Sequence, residues 1–271
     1  MFSIGNRRLW TRRLLRHHVE AIGIEAGDQI MAHAALRKVG PMLNGPDALI
    51  GAILDVAGPT GTLLCYVNWD EQYSHAVDNQ GCVPDALKPE IPPFDMQTSR
   101  ASRHHGAFAE FVRTTPGALR SRNPGASFAA IGHRAGWFVA DHPLNYGYGG
   151  GSPFAKLVEA RGKVLMIGAP HDSMSILHHA EHLAQIPGKH VVRMETPFRV
   201  GDGVEWRTIE EFDTSEPVVD GLPPDYFGMI MDQFLATGRG TQAVIGSAPS
   251  TLVPAADIVD FAVRWLEKRF R

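Results

Sequence analysis

The chain has 271 residues, 44% of them hydrophobic and 20% charged, which is enough apolar material for a large folded domain. Its formal net charge of −3 gives no general attraction to nucleic acid. No run of residues is long and apolar enough to span a bilayer, so we expect neither nucleic acid nor a membrane as partner.

The N-terminal sixteen residues include five arginines but lack the apolar centre of a secretory signal, so they are interpreted as part of an amphipathic helix. Cys65 and Cys82 form no C-x-x-C pair. A reducing compartment is therefore the simpler expectation, and we predict a cytoplasmic protein.

Short apolar runs alternate with longer helical patterns along the chain, which is typical of an α/β domain. A hairpin is predicted around Val200–Gly203, because Gly-Asp-Gly permits a tight turn. This hairpin indicates a mixed sheet. The predicted strands are 28–36, 58–69 and 162–170, the predicted helices are 46–58, 106–117 and 255–270, and the hairpin covers 190–209.

Two segments stand out by their charge. Residues 68–95 contain six acidic side chains and one lysine, and residues 201–227 contain eight acids and one arginine. Each segment alone is typical of a solvated loop. Long loops in compact domains often bind ligands, and two acidic ones in a nearly neutral protein indicate a polycationic ligand.

The stretch SILHHAEHLA, residues 175–184, admits three interpretations. At about 100° per residue, Ser175, His178, Glu181 and His182 fall along one strip of a helix. In the first interpretation, this strip is the solvent-exposed face of a surface helix. In the second, His178 is a general base that Glu181 orients. The strip also fits the zinc-peptidase motif H-x-x-E-H, in which His178 and His182 bind the metal.

The position of this helix favours a functional role. It follows the predicted strand 162–170, and ligands of α/β sheets bind beyond the carboxyl ends of strands. A zinc peptidase of this type needs a further ligand, and Glu267, the available acid, lies in a helix that looks structural. We therefore expect no metal. The chain also lacks a P-loop and a G-x-S-x-G nucleophile elbow.

Several segments match one known family in order and spacing over nearly the whole chain: 31–64, 68–72, 92–95, 120–132, 151–157, 162–184, 210–214 and 257–270. They resemble the aminoglycoside 3-N-acetyltransferase family, which has the antibiotic N-acetyltransferase fold. The resemblance implies one layered α/β/α domain over 1–271 with a central mixed β-sheet. It also implies acetyl transfer from acetyl-CoA to the 3-amino group of a 2-deoxystreptamine aminoglycoside, which causes antibiotic resistance.

The resemblance also implies catalytic roles. The family helix motif is Thr/Ser-x-x-His-x-x-Glu, matched by Ser175, His178 and Glu181, whereas His182 falls outside it. A substrate ammonium must lose a proton before it attacks a thioester, and an imidazole suits that step. We therefore predict His178 as the base, with Glu181 fixing its tautomer, and His33 beside the thioester.

Binding roles follow from the same resemblance. The acidic segments are predicted to hold the polycation through Asp70, Glu71, Glu211 and Asp213, and Asp70 is also predicted to position the attacking amine. Acetyl-CoA is predicted to contact Leu36, Arg37, Lys38, Val39, Arg120, Ser121 and Ser127.

Two positions depart from the family pattern. Ala35 replaces a common serine, which leaves backbone N–H groups to stabilise an oxyanion, and Asn123 replaces a common histidine. The alternatives are acetylation of another amine by the same fold, a zinc peptidase using His178 and His182, and a non-catalytic module that sequesters polycations.

Overall fold

The computed structural model describes residues 2–4, 7–69 and 73–270. Asp70 and Glu71, predicted to act in catalysis and substrate binding, lie outside the described residues. The strands are β1 Phe2–Ile4, β2 Arg7–Leu9, β3 Gln29–Ala34, β4 Thr62–Tyr66, β5 Leu119–Arg120, β6 Phe128–Gly132, β7 Lys163–Ile167, β8 Val191–Val200, β9 Gly203–Phe212, β10 Thr241–Ile245 and β11 Ala248–Pro254. The helices are α1 Arg12–Ala21, α2 Leu36–Val39, α3 Pro46–Ala57, α4 Ala107–Thr114, α5 Ala135–Val139, α6 Pro153–Glu159, α7 Leu177–Leu183, α8 Tyr226–Ala236 and α9 Ala255–Arg269.

The predicted elements form where local signals are strong. Helix α3 begins at Pro46 and stops before Gly58, whose φ of 67° lies in the left-handed region that favours glycine. Helix α6 begins at Pro153, and the Ser152 hydroxyl caps it by accepting a hydrogen bond from Ala155 N at 3.1 Å. The amphipathic helix predicted near the N-terminus is confirmed from Arg12, where α1 begins, but the prediction is wrong for residues 2–4 and 7–9, which form the antiparallel strands β1 and β2.

Within the described residues, the central sheet has the strand order β10-β11-β7-β3-β4-β6-β5. Strands β7, β3 and β4 run parallel, and the remaining neighbours pair antiparallel. The prediction of a mixed sheet is confirmed, but its stated reason is wrong. The hairpin of β8 and β9 forms a separate two-stranded sheet, and the antiparallel strands of the central sheet lie elsewhere in the chain.

The central sheet is buried on both faces, as the layered α/β/α prediction requires. Successive side chains of a strand point to opposite faces, so Met31 packs with helices α5 to α9 while Ile30 and Ala32 pack with α1, α3 and α4. Full burial of one such large apolar side chain contributes about 1.5–3 kcal/mol. These two layers fix the sheet and leave its strand ends free to build a site.

The hairpin is attached to the first acidic segment by main-chain hydrogen bonds. Glu195 N donates to Gly81 O at 2.8 Å, and Phe94 N donates to Pro197 O at 2.7 Å. Gly81 has a φ of 78°, and a Cβ there would lie 1.8 Å from Arg193 O, so this contact requires glycine. The hairpin therefore forms a wall fixed to residues 73–95.

The hairpin predicted over 190–209 is confirmed as β8 and β9, whereas the solvated-loop interpretation of 201–227 is wrong for residues 203–212, which form β9, and for the start of α8 at Tyr226. Glu210 and Glu211 of β9 are consecutive and therefore point to opposite faces of the hairpin, and the strand is stabilised by ten paired positions with β8. Charge composition does not distinguish an acidic strand from an acidic loop. None of the described helices has the length and apolar character needed to cross a bilayer.

Candidate active site

The site lies at the carboxyl ends of the three parallel strands. His33 follows the buried core of β3, Tyr66 ends β4, and Gly168 directly follows β7. Gly168 has a φ of 64°, and a Cβ on it would lie 3.0 Å from Lys38 Cβ and 3.1 Å from Ala248 Cβ. Glycine is required at this turn, which directs the chain from β7 towards α7.

His178 lies in the first turn of α7 and is paired with a carboxylate one turn later. Its Nδ1–H donates to Glu181 Oε2 at 2.7 Å, since an ionised carboxylate only accepts. The two side chains are 18% and 2% exposed. The interpretation of this strip as the solvent-exposed side of a surface helix is therefore wrong. The exposed side of α7 is the opposite one, where Leu183 is 44% exposed. The Nε2 atom of His178 has no partner in the part of the chain that the structure describes.

His182 is paired separately, with a glutamate of the hairpin. Its Nε2–H donates to Glu211 Oε1 at 2.7 Å, and Glu267 accepts from the main-chain N of Gln185 at 3.0 Å. Over residues 2–4, 7–69 and 73–270, no group of three or more His, Cys, Asp or Glu side chains is placed to hold a metal. His178, His182 and Glu267 therefore do not come together as the three zinc ligands that a peptidase of this type needs.

Two further imidazoles lie near His178. Burial lowers the pKa of His33 to about 3, and the neighbouring His105 acts in the same direction. Burial lowers the pKa of His105 to about 4, with smaller effects from His104 and His178. Both rings are therefore neutral at physiological pH. His33 Nε2 and Glu181 Oε1 are buried and have no hydrogen-bond partner among the described atoms, which is uncommon for buried polar groups.

A cleft of about 1610 Å³ opens above these groups. His178 and Ser175 lie on one side of it, and both acidic segments contribute to its walls through Asp78, Glu211 and Asp213. Asp213 Oδ1 accepts from Ser215 N and Ser215 Oγ at 2.9 and 2.6 Å. Carboxylates from two distant parts of the sequence thus face one cavity that is also lined by His178, the exposed member of the His178–Glu181 pair.

The residues predicted to contact acetyl-CoA fall into two groups. Leu36 to Val39 form α2 at the end of β3, where Arg37 and Lys38 are exposed and Val39 is buried. The Ala35 N–H donates to Ile167 O at 2.9 Å, so it is not a free oxyanion donor. Of this first group, which follows β3 and His33 in the chain, only Arg37 and Lys38 are exposed.

The second group lies in the interior. Arg120 donates to Ser99 O at 2.5 Å, to Val67 O at 2.6 Å and to Ser127 Oγ at 3.1 Å. Ser121 Oγ accepts from Phe128 N at 2.9 Å. These hydrogen bonds explain in structural terms why Arg120, Ser121 and Ser127 are present. Nothing in them supports the predicted cofactor role of Arg120, Ser121 and Ser127, which stays a prediction.

Asn123, the second departure from the family pattern, connects three main-chain groups. Its Nδ2 donates to Pro143 O and Leu144 O at 2.7 and 3.0 Å, and its Oδ1 accepts from Ala126 N at 2.8 Å. An imidazole has too few hydrogen-bonding atoms to replace all three bonds. The asparagine therefore has a structural role that accounts for its presence.

Sequence reasoning missed three cleft residues: Tyr66, Tyr148 and His105. The phenol oxygens of Tyr66 and Tyr148 lie 2.6 Å apart, and the His178 ring centroid is 5.1 Å from that of Tyr148. Tyr66 lies within the predicted strand 58–69, and only the structure shows that β4 ends at this residue. Tyr148 and His105 reach the cleft from distant loops, which no local pattern indicates.

Comparisons with known proteins agree with this geometry. The family model described as aminoglycoside 3-N-acetyltransferase matches residues 31–267. Aminoglycoside N(3)-acetyltransferase III of Pseudomonas aeruginosa is 43% identical over 256 residues, covering 93% of this chain and 91% of the relative. The type VIII enzyme of Streptomyces fradiae is 38% identical, covering 96% and 92%.

Solved structures give the same result. The structure of AAC-IIIb in binary complex with CoASH is 56% identical, with a TM-score of 0.96 and coverage of 97% of this chain and 98% of that one. AAC-VIa bound to sisomicin is 37% identical, with a TM-score of 0.92 and coverage of 97% and 99%. These similarities extend over 97% of the chain.

Proposed function

This chain belongs to the aminoglycoside 3-N-acetyltransferase family, and on that premise we propose that His178 is the general base of its reaction. The protein is an acyltransferase that uses acetyl-CoA to acetylate the 3-amino group of an aminoglycoside. The observation that carries the proposal is that His178, hydrogen-bonded to the buried Glu181, lines the cleft whose walls include residues of both acidic segments.

His178 has the hydrogen bonding that a base requires. Because its Nδ1–H donates to Glu181, its unpartnered Nε2 carries the lone pair that takes a proton from the substrate ammonium. Glu181 fixes this tautomer and stabilises the imidazolium that forms. The deprotonated amine then attacks the thioester carbon, the C–N bond forms, and the C–S bond breaks. Protonated His178 gives its proton to the departing sulfur, and the second proton that the nitrogen loses on becoming an amide passes to solvent in the cleft.

The other binding groups are proposed from their accessibility and charge. Glu211 and Asp213 bind ammonium groups of the substrate, and Asp70 and Glu71 belong to the same acidic segment as the cleft residue Asp78. Acetyl-CoA supplies an activated acetyl thioester, which His33 and the residues Leu36–Val39 contact. Both cysteines are free thiols, which supports the cytoplasm as the proposed compartment.

The activity on which this proposal rests is tested by measuring thiol release from acetyl-CoA with and without sisomicin or gentamicin, in the presence of EDTA, and the role of His178 is tested by comparing that release in His178→Ala. We expect release that depends on the aminoglycoside and survives the chelator. Release with another amine only would place the reaction on a different acceptor. No release with any amine, while an aminoglycoside still binds, would support a sequestering module instead.

A further inference from the structure

His182 forms a second imidazole–carboxylate pair, which connects the catalytic helix to the hairpin. It lies on α7, four residues after His178, whereas Glu211 lies near the end of β9. The His182 Nε2 to Glu211 Oε1 distance is 2.7 Å, and the side chains are 8% and 16% exposed. Both groups are thus largely removed from water, where a charge-assisted hydrogen bond is strong.

The two oxygens of Glu211 have different surroundings. Oε1 accepts from His182 and also from Phe212 N at 2.8 Å. Oε2 has no partner among residues 7–69 and 73–270 and is not sealed from solvent, and Glu211 lines the same cleft as His178. One oxygen is therefore held by the protein while the other remains open to a ligand.

The ring of His182 is itself closely packed. Its centroid lies 4.6 Å from that of Phe212 and 5.9 Å from that of Tyr146. A Cβ on Gly149 would lie 3.1 Å from His182 Nδ1, so the loop before α6 approaches the ring closely. Tyr146 N also donates to Glu210 O at 2.8 Å, which ties this loop to the hairpin.

We propose that His182 is a positioning residue for acceptor binding: it fixes Glu211 so that Oε2 receives an ammonium group of the aminoglycoside. The inference rests on the proposed substrate role of Glu211. An unrestrained glutamate would lose side-chain freedom on binding. His182 removes that cost in advance, so it lowers KM for the acceptor and contributes nothing to proton transfer.

A double-mutant cycle on the full chain tests this inference. His182→Phe keeps a ring but removes the donor, and His182→Gln keeps an N–H near the position of Nε2. We expect His182→Phe to raise the acceptor KM about tenfold with kcat within about twofold, and His182→Gln to recover most of the loss. Glu211→Gln should raise KM similarly, and the double variant should be no worse than either single change.

Several results would overturn the inference. A fall in kcat with unchanged KM in His182→Phe would do so, as would fully additive effects in the double variant. An effect of Glu211→Gln without one of His182→Phe overturns the positioning role but leaves the proposed function intact. Wild-type protein without acceptor-dependent CoA release removes the proposed function itself. Should His182→Phe not fold, His182→Met serves as the donor-free variant.

Discussion

His178 and Glu181 are joined at 2.7 Å within one turn of α7, and the second oxygen of Glu181 is sealed from solvent without a partner among the described residues. This arrangement leaves Nε2 of His178 as the reactive atom of the pair. The pair therefore has one defined tautomer before any substrate binds.

The first prediction concerns the base. His178→Ala should lower kcat by about 10²–10⁴-fold, because no other group takes the proton at that position, while aminoglycoside affinity changes little. Steady-state thiol release and calorimetric binding measure the two quantities. His190→Gln, an exposed histidine paired with Asp220, is the control and should retain wild-type rates. Equal losses in both variants would contradict the assignment.

The second prediction concerns Glu181. Glu181→Gln should lower kcat on the order of 10²- to 10⁴-fold, because the amide neither fixes the Nδ1–H tautomer nor stabilises the imidazolium. KM for the acceptor should remain close to that of the wild type. A kcat within threefold of wild type in folded protein would show that His178 acts without this carboxylate.

The third prediction concerns charge in the cleft. Asp213→Asn should raise the acceptor KM about tenfold, because one carboxylate facing the polycation is lost, and it should reduce the salt dependence of KM. Asp202→Asn, at the exposed hairpin turn outside the cleft, removes the same charge elsewhere. The two variants should differ. The same KM in both would indicate a general effect of net charge.

The fourth prediction separates a structural role of Arg120 from cofactor binding. Arg120→Lys should lower the free energy of unfolding by about 2–4 kcal/mol, since a single ammonium cannot satisfy the three acceptors of the guanidinium. KM for acetyl-CoA should not change. Denaturant unfolding and initial rates measure the two effects. A raised KM for acetyl-CoA at unchanged stability would restore the predicted cofactor role.

The fifth prediction concerns stability in acid. Burial lowers the pKa of His142 to about 4 from an ordinary 6.5. Between these two pH values the imidazole is protonated in the unfolded chain but not in the folded one. The contribution of His142 to the free energy of unfolding is therefore fully present above pH 6.5 and is lost as the pH falls towards 4. Urea unfolding at pH 7.5 and 5 should show a smaller difference in His142→Gln than in wild type. His190→Gln should keep the wild-type difference.

The sequence by itself determined the local elements and the chemistry of α7. Pro46, Gly58 and Ser152-Pro153 set helix ends through backbone constraints that act within a few residues, and the spacing of His178 and Glu181 follows from helix geometry alone. The resemblance of spaced segments then correctly indicated the family. The helix ends and the His178–Glu181 spacing depend on residues close together in sequence, whereas the family resemblance depends on the order and spacing of segments along the whole chain.

Only the tertiary structure decided the rest. The hairpin forms its own sheet, the Arg120 side chain is buried, and Glu211 is hydrogen-bonded to His182. Local sequence patterns do not predict these features. They depend on contacts between residues far apart in the chain or on which face of an element is buried. His105 and Tyr148 line the cleft from segments that are far from α7 in the sequence, so local patterns did not indicate their role. Sequence pattern records which side chains prefer to be buried, whereas pairing across the fold depends on the packing of all layers at once.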